Sequence, residues 1–116
     1  MTRTPDKYQP KEFIFLRDEL IKLFGLDVRT KCRTTENIMA KHVYYKILRD
    51  AGFGSVEIGR SVAVNHATIL HYIKGFESFY NQSSSLREKY CKILDRYNDE
   101  FSMEITLTKS ELLSEL

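Results

Sequence analysis

The chain is sparing with cysteine, with phosphate-binding glycine patterns and with long apolar runs, and each shortage narrows the range of functions. Only two cysteines occur in its 116 residues, Cys32 and Cys91. Two thiols so far apart in sequence make neither a disulfide scaffold nor a zinc site. Glycines stand at 25, 52, 54, 59 and 75, and none belongs to the G-x-x-x-x-G-K-[ST] loop that cradles nucleotide phosphates. A stretch of about 18 apolar residues is missing, so no membrane-spanning helix is expected. The opening MTRTPDKYQP is polar and has no apolar signal-peptide core, which makes the cytoplasm the expected compartment. Neither a metal, a cofactor nor an enzymatic activity is expected.

Apolar residues make up 42% of the chain, enough for a real core. The length suits a single domain spanning 1–116. Net charge is only +2, but it is unevenly spread. Residues 28–74 carry eight basic against three acidic side chains, a local +5, whereas residues 97–116 carry one against five, a local −4. A basic middle with an acidic end suits one face for a polyanion and an end kept away from it.

Apolar spacing gives the elements. Phe13, Leu16, Leu20, Leu23 and Phe24 recur at helical intervals after Pro10, and Gly25 supplies a stop. Thr34 or Thr35 can cap a second helix reaching about Asp50, with Ile38, Met39, Val43, Ile47 and Leu48 inward. The AGFG stretch ends it. Ser55 is expected to cap a short third helix. A fourth is expected from Asn65 to about Lys74, ended by Gly75. Residues 81–85 read as a loop, and a fifth helix as roughly 85–98. From Phe101 to Thr108 apolar and polar residues alternate, which predicts a strand or extended tail, and SELLSEL reads as a last short helix. The expected fold is therefore all-α in the main. It is a bundle of about five helices, with a helix-turn-helix core over 33–80 and a C-terminal helix and tail over 83–116.

The informative window is SVEIGRSVAVNHATILHYIK, residues 55–74. Two short helices joined by a tight turn need apolar contacts on the first, and Ile58 and Val62 provide them. They need a small residue where the pair approaches closely, and Gly59 is there. The turn needs one small and one buried apolar residue, supplied by Ala63 and Val64, and the second helix needs inward anchors one turn apart, Ile69 and Ile73. With these fixed, Asn65, His66, Ala67, Leu70, His71 and Lys74 face outward, with Thr68 at the edge. Short hydrogen-bonding and methyl-bearing side chains at a helix N-terminus match what the major groove presents. His66 and His71 are five apart and point about 140° away from each other, which does not suit a shared metal. The tyrosines and phenylalanines at 44, 45, 76, 79 and 80 read as core, and His42 as a satisfied, partly buried histidine.

ENIMAKHVYYKILRDAG followed by EIGRSVAVNHATILHYIK resembles the C-terminal duplex-DNA-binding domain of the bacterial replication initiator DnaA, which has a Trp-repressor-like helix-turn-helix. That family carries E-I-G and then R-D-H-T-T-V-L-H at the start of its recognition helix. Glu57, Ile58 and Gly59 match the first motif, and His66, Thr68, Leu70 and His71 match the second, with Ile69 in place of Val. Ala67 replaces the family's first Thr, Asn65 replaces its Asp, and the turn is one residue shorter. The likeness covers roughly residues 33–76. It implies major-groove reading by the second helix, with Lys41 near the family's minor-groove arginine. No counterpart of the initiator's ATPase is present.

The functional expectation is a sequence-preferring binder of double-stranded DNA, a regulator of transcription or replication of the kind phages and mobile elements encode. Its contacts would be Lys41, Ser55, Asn65, His66, Ala67, Thr68, Leu70, His71 and Lys74, with Arg29, Lys31, Arg33 and Arg60 touching the backbone. A homodimer through the first helix or the tail would add affinity. The alternative is an assembly module, such as an adaptor like a phage terminase small subunit, in which the same helices make protein contacts.

Overall fold

The computed structural model describes residues 10–25, 27–29 and 34–102. Five helices follow one another: α1 (Lys11–Phe24), α2 (Thr35–Asp50), α3 (Ser55–Val62), α4 (His66–Gln82) and α5 (Ser84–Phe101). Among the described residues there is no strand. Phe101 closes α5, and Ser102 caps it in the left-handed conformation. The strand expected from Phe101 therefore does not begin there, because Phe101 packs on Phe15 and Tyr97 and extends the helix past 98; the rest of that expected strand, from 103, and the SELLSEL helix lie outside the described residues.

α2 is the central element, packed against all four others. The Thr34 hydroxyl caps it by accepting from the Asn37 N–H at 3.2 Å. Val43, Tyr44, Tyr45, Ile47 and Leu48 are all buried. Tyr44 donates to Ser61 Oγ (2.8 Å), and Ser61 donates its one proton to the Ile58 carbonyl (2.6 Å), which ties α2 to α3 through a satisfied buried pair. α1 and α5 run antiparallel, joined by Phe15 on Phe101 (5.4 Å between ring centres) at one end and by Arg96 on Glu19 (2.6 Å) further along.

Three further boundaries differ from the sequence expectation. α4 does not stop at Gly75 but continues to Gln82. The cause is an aromatic stripe: Tyr72 packs on His42 and Tyr45, and Phe76 and Tyr80 pack on Tyr90. A glycine inside a helix costs about 1 kcal/mol, whereas burying one large apolar side chain gains about 1.5–3 kcal/mol. The loop expected at 81–85 shrinks to Ser83, whose hydroxyl accepts from the Leu86 N–H at 3.1 Å and starts α5 at once. Gly54, not Ser55, is the N-cap of α3; its N–H donates to Glu57 Oε1 at 3.1 Å.

Candidate nucleic-acid interface

The α3–α4 pair is set by one close approach. A Cβ on Gly59 would lie 2.5 Å from the Val64 carbonyl oxygen, so no larger residue fits without moving the backbone. The obstacle is the turn itself, not a side chain of the second helix. The Val64 N–H closes the turn on the Gly59 carbonyl at 2.9 Å. Ala63 takes φ 60°, the left-handed geometry that usually falls to glycine at a helix exit. Ile58, Val62 and Ile69 are buried as anchors, and Val64 and Ile73 are half-buried at the rim of the contact.

Inward anchoring leaves a defined outward set. His66, Ala67, Leu70, His71 and Lys74 are all exposed and fall within an arc of about 140° on α4. Ile69, on the opposite side, is 0% exposed, while Leu70 beside it is 43% exposed. Thr68, expected at the edge of this set, is exposed but lies about 60° beyond the arc. Asn65 is the N-cap: its Oδ1 accepts from the Ala67 N–H at 2.8 Å. One acceptor lone pair is thus committed to the helix, and the Nδ2 donor stays outward. The residue expected to contact DNA is thus also the cap, and the expected bidentate bond to adenine would have to share that oxygen.

The basic residues divide. Lys74 and Arg60 are exposed near this face, and Lys41 is half-buried on α2, one position before His42. Ser55 is half-buried in the first turn of α3. Arg29 does not offer an unengaged charge, because its guanidinium grips Asp27 through Nη2 at 2.7 Å and Nε at 3.1 Å. That grip holds the Asp27 carboxyl below the usual carboxylate range. Lys31 and Arg33 lie outside the described residues. Val56, 48% exposed at the start of α3, escaped the sequence reading. Its position off the Ile58–Val62 face was the available signal.

His42 buttresses α4 from behind. Its ring lies 4.7 Å from Tyr72 and 4.8 Å from Phe79, and Nδ1–H donates to the Ile38 carbonyl at 2.9 Å. Burial among these rings pushes its pKa below the ordinary histidine value of 6.5. Among the described residues no three His, Cys, Asp or Glu side chains gather closely enough to hold a metal ion, and no helix is long and apolar enough to cross a membrane.

Comparison of the chain with family models, with curated proteins and with solved structures finds no match. The likeness to the initiator's DNA-binding domain therefore rests on the residues quoted above.

Proposed function

We propose that this chain binds double-stranded DNA with a sequence preference, laying the first two turns of α4 in the major groove. The observation that carries the reading is the division of α4 into two faces. Ile69, Phe76 and Tyr80 are buried, while His66, Ala67, Leu70, His71 and Lys74 are exposed as a stripe of hydrogen-bonding, methyl-bearing and cationic side chains. A helix of about 10 Å diameter fits that groove, and its N-terminal residues meet base edges. His66 and Thr68 would bond purine edges, and Ala67 and Leu70 would touch thymine methyls. Lys74, Arg60 and Lys41 would meet phosphate or the adjoining minor groove, fixing register without reading sequence. The role would be control of transcription or replication, as in phages and mobile elements, with a second copy adding affinity.

One observation favours a second reading. Leu70 and Val56 are large apolar side chains exposed on the α3–α4 pair, and Ile14 and Ile21 are exposed on α1. Such side chains suit an assembly adaptor that makes protein contacts with the same helices. Salt separates the two readings. Binding through several phosphates weakens steeply as salt rises, with a slope close to the number neutralised. A duplex-binding titration at rising salt is expected to give that slope; duplex binding that is absent or indifferent to salt would favour the adaptor.

A further inference from the structure

Gly75 stands in the third turn of α4, where nothing inside the chain asks for a glycine. The helix runs through it to Gln82, so it is not a stop. Its φ is not left-handed; among the described glycines only Gly25 and Gly52 have that geometry. A Cβ built on it meets no atom within 4 Å. Gly59 is kept bare by the turn it packs on, but Gly75 is exposed, and alanine would fit there and make the helix more stable. The remaining physical use of a bare backbone is close approach by something outside the chain.

The surroundings of Gly75 indicate what approaches. Its exposed neighbours on α4 are Thr68, His71, Lys74, Ser78 and Gln82, all polar. The apolar neighbour, Phe79, is half-buried against His42. The Ser78 hydroxyl accepts from Gln82 Nε2 at 3.4 Å, which leaves its own proton to donate. Glu77, the one acid of α4, is half-buried and about 160° away round the helix. A packing helix would need apolar neighbours at this point. A cation and a hydroxyl donor with no carboxylate beside them suit a phosphate strand. Position agrees with chemistry. Gly75 lies about 13 Å along the axis from His66, and the major groove is about 12 Å wide. A helix with its first two turns between the strands therefore brings Gly75 to the groove's rim, where a sugar-phosphate backbone runs.

We propose that one strand of the duplex crosses α4 at Gly75, its sugar-phosphate backbone against the helix backbone, with Lys74 and the Ser78 hydroxyl on the flanking phosphates. The bare glycine sets how deep the first two turns sink into the groove. This rests on the duplex-binding reading above and adds to it a seat that acts on every sequence alike.

The test titrates the whole chain, Gly75→Ala and Gly75→Gln against a pool of mixed-sequence duplexes at low salt, with a thermal melt and a sedimentation run of each protein. Both variants are expected to melt at or above the parent temperature, because each new residue is a better helix former and its Cβ meets open space. Affinity is expected to fall a few-fold for Gly75→Ala and by about tenfold for Gly75→Gln, as the added atoms hold the strand away. Variants that melt as expected and bind like the parent would overturn the seat and leave the duplex reading standing. A parent that binds no duplex would overturn both. A lowered melting temperature would make Gly75 a residue of the fold. Loss of a self-associated form with duplex affinity unchanged would put a second copy in place of the strand. Either of these also overturns the proposal.

Discussion

The α1–α5 pair and the α3–α4 pair handle polar side chains in opposite ways. On α1–α5 the buried carboxylate of Glu19 is answered by two cations, and rings close the far end, Phe15 on Phe101 and Tyr97 on Phe101. On α3–α4 the inner face is finished just as tightly, at Gly59 and Ile69, yet the outer face holds polar groups in water. Among that outward set only Asn65 makes a side-chain hydrogen bond, as a cap, and His71 sets its ring edge-on to Tyr72. Stability needs the first arrangement. Nothing in stability requires two histidines and an exposed leucine on one short arc, and that surplus supports the proposed partner.

The comparison can be broken most severely at its hinge. Gly59→Leu is expected to cost about 3 kcal/mol, because the turn backbone leaves no room for a Cβ. A thermal melt checks this, with a drop of several degrees per kcal/mol; an unmoved midpoint would mean that the close approach does not hold the pair. Next comes the face proposed to read DNA. His66→Ala is expected to weaken the preferred duplex by about 1–3 kcal/mol and to blur one base position, with the melting temperature little changed because His66 is exposed. Lys41→Ala sharpens the division between reading and positioning. It should weaken all duplexes alike and lower the salt slope by about one, measured by a binding titration in two salts.

A smaller effect separates the two faces of α4 by pH. The His42 pKa is depressed in the fold by burial, so at mildly acid pH the unfolded chain binds a proton that the folded chain refuses. Its contribution is intact above the unfolded value of 6.5 and is lost as pH falls below it, down to the folded pKa. Denaturant melts at pH 7.5 and 5.5 should show this loss, and His42→Phe should shrink it. The smallest expected effect is a gain. Ala63→Gly relieves left-handed strain at φ 60° and should stabilise by about 0.5–1 kcal/mol in the same melts.

Legibility in the sequence followed the strength of local signals. α1 and α2 were readable because apolar spacing and terminal signals agreed: Gly25 takes φ 73° at the end of α1, and Thr34 caps α2 with its side chain. The outward stripe on α4 was readable because Ile58, Gly59, Val62 and Ile69 fix the rotation of both helices. Gly75 misled because a local breaker was weighed without the contacts that override it. The run Tyr72, Phe76, Phe79 and Tyr80 keeps helical spacing straight across the glycine and held the needed signal. Ser83 was hidden for another reason: one residue ends α4 and caps α5, so a serine-rich stretch looked like a loop. The commitment of the Asn65 oxygen to Ala67 and of Arg29 to Asp27 depends on side-chain geometry that spacing does not carry.

The central claim is that the His66–His71 edge of α4 selects among DNA sequences. Selection from random duplexes by the full chain and by His66→Ala, each at two salt concentrations, tests it most directly. The account predicts one enriched motif for the parent, degraded at a single position in the variant, with binding of both weakening as salt rises. Identical motifs from the two chains, or no enrichment by a folded parent at either salt, would contradict it.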